Sequence, residues 1–167
     1  MKTSKYVFSI FAVIVKSKNV EMIQRIQSIF LLLAGGASLS LFGLPFASTT
    51  EAVSSSSLFS DSVYNLMDTP ALIALFGLAG LLAIVSIFLF KNRKLQMRLT
   101  IFAFIANLLG AIMAIVFYMQ NSQDIGEQLI NDGAGMYLPL VSFVLLLLAY
   151  RFISKDDNLV RSMDRLR

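Results

Sequence analysis

Side chains able to attack a carbonyl, shuttle protons or hold a metal ion are scarce in this sequence. Its 167 residues include no cysteine and no histidine, which removes thiolate nucleophiles, imidazole bases and the usual zinc ligand sets. Apart from Glu21 near the start, the carboxylates fall into separate groups: Glu51, Asp61 and Asp68 in one polar stretch, Asp124, Glu127 and Asp132 in another, and Asp156, Asp157 and Asp164 near the end. The first two groups are scattered among serines and other polar residues rather than paired at a fixed spacing, as acid/base work requires. Asp132-Gly133-Ala134-Gly135 reads as a turn, and no Lys-Ser/Thr follows to make it a phosphate loop. Asn107 is an amide inside a long apolar run, and without a partner charge it reads as a hydrogen bond between helices. The expectation is a protein that is not an enzyme, with no metal ligands and no cofactor.

The cations are more informative. Lys91-Asn92-Arg93-Lys94-Leu95-Gln96-Met97-Arg98 lies between two uncharged runs, Ala71 to Phe90 and Leu99 to Met119. At about 1.5 Å per residue each run matches a hydrocarbon core roughly 30 Å thick. Such a run satisfies its backbone amides in lipid by forming a helix. The basic stretch is thus predicted to be the closed end of a transmembrane hairpin, held in the cytoplasm by its charges. Composition agrees, with 57% hydrophobic and 14% charged residues against about 25% charged in a soluble domain. The net charge of +4 does not point to nucleic acid, because the cations stand beside spans, where retention on the cytoplasmic side accounts for them.

Along the rest of the chain, residues 1–21 carry Lys2, Lys5, Lys16 and Lys18 around an apolar core too short to span and without a small-residue cleavage pattern. They read as an N-terminal extension from an over-long start, with Met22 the first residue of the mature chain. A first span is expected at about 26–46, with Gly35 and Gly36 in a notch of small residues where another helix can approach. Residues 47–70 are rich in Ser and Thr and lack Lys and Arg, as an outside loop should. Leu58, Phe59, Val63, Tyr64, Leu66 and Met67 could lie there as an amphipathic turn on the headgroups, or simply belong to a polar connector. Further spans follow at about 71–90, 99–119 and 135–153. In the third, Ala106, Gly110 and Ala114 recur every four residues and predict the closest helix contact, with Asn107 beside them.

Residues 154–167 are read as a short, separate cytoplasmic helix. Ser154 and Asp157 have capping-box spacing. Asp157 and Arg161 form an i, i+4 pair, Arg165 falls in the last turn, and Leu159, Val160, Met163 and Leu166 share one face. All 14 Lys and Arg lie in the N-terminal segment up to Arg25, the 91–98 stretch or the tail from Arg151. The fold expected is therefore an all-α membrane protein, four transmembrane helices in an up-down-up-down bundle at residues 22–153, with both termini cytoplasmic.

Four stretches carry a resemblance: Met22-Ile23-Gln24-Arg25-Ile26-Gln27-Ser28-Ile29-Phe30, the basic stretch from Lys91 to Arg98, Leu138-Pro139-Leu140, and the ending from Asp156 to Arg167. With them the chain resembles a family of small four-helix inner-membrane proteins of Bacteroidetes grouped as a domain of unknown function. The resemblance implies a bacterial inner-membrane location and brings no activity with it.

Apart from Arg151 at the end of the fourth, the predicted spans carry no charged residue, and no broken helix is expected in them, whereas most transport pathways show one or the other. The reading is an accessory, assembly or scaffold subunit in the lipid bilayer. Its cytoplasmic face, Lys91, Arg93, Lys94, Arg98, Leu159, Arg161, Met163, Arg165 and Leu166, would contact lipid or dock a protein partner, and a homo-oligomer stays open. The alternative is a small-molecule or lipid transporter or channel component.

Overall fold

The computed structural model describes residues 26–50, 58–122 and 130–164. Among them, helix α1 covers Ile26–Ser40. Strands β1 (Ala47–Thr49) and β2 (Val63–Tyr64) and a 3-10 turn at Leu66–Asp68 lead into α2 (Pro70–Phe88). Then come α3 (Arg93–Ser122), β3 (Ile130–Asp132), a second 3-10 turn at Ala134–Met136, and α4 (Leu138–Asp164). Helices α2, α3 and α4 are long and apolar enough to cross a membrane, whereas the described part of α1 is shorter.

Each helix buries residues at alternating steps of three and four: Gln27, Leu31, Ala34, Ser38 and Leu41 leading out of α1; Leu72, Phe76, Ala79, Ala83 and Ser86 on α2; Gln96, Thr100, Ala103 and Asn107 on α3; Ser142, Leu146, Ala149, Ile153 and Asp156 on α4. That spacing keeps one seam of each helix facing its neighbours. Contacts run antiparallel from helix to helix: Leu39 against Gly80, Ser86 against Thr100, Phe104 against Phe143, and Phe30 stacked on Phe152 at 5.4 Å. The last closes α4 back onto α1. Outward faces carry large exposed apolar side chains such as Leu32, Leu81, Phe102, Ile112 and Val144. In water such a surface would be an aggregation liability, and in lipid it is the ordinary solvent-facing side.

Five expectations change. Helix α1 stops at Ser40 rather than near 46; Gly43 and Pro45 follow, and the chain tightens through Phe42 N–H to the Leu39 carbonyl and Gly43 N–H to the Ser40 carbonyl. The fold is not wholly helical. β1 pairs antiparallel with both β2 (Ala47 opposite Tyr64) and β3 (Ala47 opposite Asp132), giving a three-stranded sheet of order β2-β1-β3. The polar stretch before α2 is neither a headgroup-lying turn nor a loose connector, because Leu58, Phe59, Tyr64 and Leu66 are buried with Phe46, Leu72 and Phe76. Only Met67 of that set is strongly exposed. The basic stretch is mostly helix, since α3 begins at Arg93. Finally, no separate tail helix begins at Ser154. α4 runs unbroken to Asp164, because no Gly or Pro interrupts it after Pro139 and its buried seam continues through Ile153 to Asp156.

The glycines at the sheet end explain how β3 can lie so close to the α1–β1 turn. A Cβ on Gly133 would run into the Pro45 carbonyl, and one on Gly135 would lie 2.6 Å from it. With only hydrogens there, the Gly133 amide reaches the Phe46 carbonyl and the Gly135 amide the Pro45 carbonyl, both at 2.9 Å.

Candidate functional site: a buried polar node, an ion pair and a lateral groove

Asn107 does bond to another helix, as its place in the apolar run implied, and it does so within a larger node. Its Nδ2 donates to the Pro139 carbonyl of α4 at 2.9 Å. Ser142 of α4 donates to the Ala34 carbonyl of α1 at 3.1 Å. Having spent its one proton there, Ser142 accepts from Ser38 of α1 at 2.8 Å. Asn107 Oδ1 is a weaker second acceptor for Ser38 at 3.4 Å. Three helices are thus tied by neutral groups, all fully buried, with no titratable member. Their chemistry is cohesion. Ser38 and Ser142 were missed in the sequence because a lone serine on an apolar helix has no signal of its own; their spacing from Ala34 and Pro139 was the available clue.

A second set lies at the opposite end from the sheet. Arg93 Nη2 lies 3.0 Å from Asp156 Oδ2, and Arg93 Nη1 donates to the Asp156 backbone carbonyl at 3.3 Å. The Arg93 side chain is 19% exposed and that of Asp156 is 0% exposed. Neither Asp156 oxygen accepts an aligned hydrogen bond, so the side-chain contact is a charge pair without good hydrogen-bond geometry. The side chains of Gln27 and Gln96, fully buried, also lack hydrogen-bond partners among the described residues. Beside them Thr100 donates to the Gln96 carbonyl at 2.9 Å, and Ser86 contacts Thr100 at 3.1 Å.

The third feature is a cavity of about 330 Å³ between α3 and α4. It exists because α3 presents the small residues Ala111 and Ala114 where α4 enters late, through Pro139. Phe143 and Asn107 border one end, Tyr64 and Tyr118 the other. Tyr64 donates its hydroxyl proton to the Ala114 carbonyl at 3.2 Å, and burial pushes its pKa well above the ordinary value, keeping it a donor.

The remaining sequence-predicted residues separate clearly. Gly35 lies at the α1–α2 contact: a Cβ there would meet Ile84 at 2.9 Å and the Gly80 carbonyl at 3.2 Å. Gly36 does not pack; it is exposed with open space around it, because the adjacent helical position points about 100° away. Ala106, Gly110 and Ala114 are buried, but at Gly110 the neighbour is the Phe76 ring, which a Cβ would meet at 3.0 Å, rather than a backbone. Gly35, by contrast, does lie against the backbone of α2, at Gly80, a residue the four-residue repeat did not pick out. Lys91, Lys94 and Arg98 are exposed, whereas Arg93 is drawn into the pair with Asp156. Leu159 is half-buried on α4. Arg161 and Met163 belong to the same helix, and Arg165 and Leu166 lie outside the described residues, as do residues 1–21.

Residues 23–166 match the model of a family described as Domain of unknown function (DUF4293). The match spans most of the chain, which therefore belongs to that family. No curated protein and no solved structure matches the chain.

Proposed function

We propose that this DUF4293 member is a non-catalytic integral protein of the bacterial inner membrane. It would form a four-span up-down-up-down bundle with both termini in the cytoplasm, and dock an accessory, assembly or scaffold partner on its cytoplasmic face. One observation carries the docking part of the reading. The Arg93–Asp156 pair holds the far end of α4 against the start of α3. At that end Lys91, Lys94 and Arg98 are exposed and Leu159 is half-buried, a mixed basic and apolar surface that a partner could engage. Cation placement supports the orientation, since neither polar stretch at the sheet end contains Lys or Arg.

Single cysteines at Ser56, Asn92 and Gln123 test the orientation in this cysteine-free chain. A membrane-impermeant reagent added outside should label the first and third; labelling of Asn92→Cys would overturn it. Leu159→Asp with Met163→Asp should leave insertion intact and abolish stoichiometric co-purification of a partner, and retention at wild-type yield would remove the docking role. The α3–α4 groove favours a second reading, a component that handles an apolar molecule, which substrate flux in liposomes would reveal.

A further inference from the structure

We infer that the groove between α3 and α4 is a binding site for one acyl chain of a membrane lipid from the leaflet on the sheet side. The inference rests on the membrane-spanning part of the proposed function and is independent of partner docking.

Length is the first argument. The groove follows α3 from Tyr118 to Asn107, about 16 Å at 1.5 Å per residue. Half of a hydrocarbon core roughly 30 Å thick is about 15 Å. The groove thus extends from the sheet-side end of the apolar run to its middle, the depth of one leaflet.

Chemistry is the second. Two polar groups that border the groove are already engaged: Asn107 Nδ2 with the Pro139 carbonyl, and the Tyr64 hydroxyl with the Ala114 carbonyl. A ligand with buried polar groups would lose water without regaining partners of equal quality, whereas a hydrocarbon chain asks for none. Opening is the third. Leu108, Ile115 and Leu140 line the groove and are themselves exposed, Leu140 at 64%. The groove therefore opens sideways onto the same surroundings as the outward helix faces, and in a membrane those surroundings are lipid chains. A straight chain fits a narrow slot walled by two helices at small entropic cost, since the bilayer already aligns it along the helix axis.

The test uses the full chain in phospholipid vesicles that contain a trace of lipid with a diazirine either near the carbonyl or at the end of one acyl chain. After irradiation, peptide mapping should place the near-carbonyl adducts around Tyr118 and the chain-end adducts around Asn107 and Phe143. Ala111→Trp fills the slot and should lose most of both adducts, while Leu109→Trp, on an exposed part of α3, should keep them. Adducts no denser at the groove than at exposed positions such as Leu81 and Leu109, whatever their order by depth, would overturn the site while leaving the membrane reading intact. An absence of helix adducts altogether would overturn both. Enrichment of the ordered adducts at groove positions over exposed positions of the same depth, such as Leu109 and Ile112, decides the matter in the wild-type chain even if Ala111→Trp fails to fold.

Discussion

Removing one partner of the Arg93–Asp156 pair should have very different consequences depending on which partner goes. Asp156 is fully buried, and Arg93 retains 19% exposure. In Arg93→Met the carboxylate loses the one cation paired with it among the described residues, and neither oxygen has another partner there. Stranding a buried charge in this way costs about 3 to 5 kcal/mol, roughly a hundredfold to several thousandfold in the folding equilibrium at 1.4 kcal/mol per decade. In Asp156→Leu the guanidinium can keep its bond to the residue-156 backbone carbonyl and turn its other nitrogens outward, so the loss should stay near 1 kcal/mol or below, in the range of an exposed pair. The double variant should fall between neutral and more stable than wild type, because an apolar pair carries no desolvation penalty. Reversible unfolding in mixed micelles, measured for all four members of the cycle, gives the coupling directly. Equal small losses in the two single variants would refute the reasoning, since Asp156 would then have to be solvated.

Three further outcomes follow from the packing. Gly80→Leu should destabilise by about 1 to 3 kcal/mol, because even a Cβ there would lie 2.7 Å from Leu39, while Gly36→Leu, in open space, should leave the unfolding midpoint unchanged; unfolding in micelles checks both. Asn107→Leu should cost about 0.6 to 2 kcal/mol, the range of interhelical hydrogen bonds in membranes, with Ser38 and Ser142 keeping their own contact; a double-mutant cycle with Ser142→Ala measures what they share. Gly133→Ala should cost about 1 to 3 kcal/mol by forcing β3 off the Pro45 carbonyl, seen as faster amide exchange at Gly133 and Gly135.

What could be read from the sequence was what depends on long, one-dimensional patterns. The helices α2 and α3 were visible because charge is absent from Ala71 to Phe90 and from Leu99 to Met119, and Asn107 was visible because an amide stands out in such a run. Patterns that need two distant segments were not visible. Nothing in Ala47-Ser48-Thr49 announces a strand, because its partners Val63-Tyr64 and Ile130-Asn131-Asp132 are brought to it only by the helices. Adjacent glycines 35 and 36 have the same composition signal and opposite environments, which only the helix rotation decides. The tail misled for a related reason. Ser154 and Asp157 have the spacing of a helix start, but Asp156 between them continues the buried seam of α4 beyond Ile153 and pairs with Arg93 of another helix, and α4 runs straight through.

The distribution of these contacts along the helix axis also explains why the groove opens where it does. Between lipid-facing helices there is little hydrophobic drive to associate, so close packing and hydrogen bonds must supply it. At the Arg93 end it comes from the packing of Leu31, Ala83, Ala103, Ala149 and Ile153 and the Phe30–Phe152 stack, with Arg93 and Asp156 paired beside them, and near the middle from Ser38, Ser142 and Asn107. At the sheet end it comes from an aromatic cluster, with Phe46 5.1 Å from Tyr64 and 6.2 Å from Phe76. That cluster fills the space beside α2 and the sheet-side half of α3, and Gly110 admits the Phe76 ring to it. α4 cannot close over the other side of α3 in the same way, because it begins only at Leu138 and bonds to α3 through the Pro139 carbonyl at Asn107. Between that bond and the sheet, the small faces of Ala111 and Ala114 are left without a large side chain from α4. Lengthening the side chain at Ala111 would fill that space from within the protein, and its present shortness is what leaves room for a chain from the membrane.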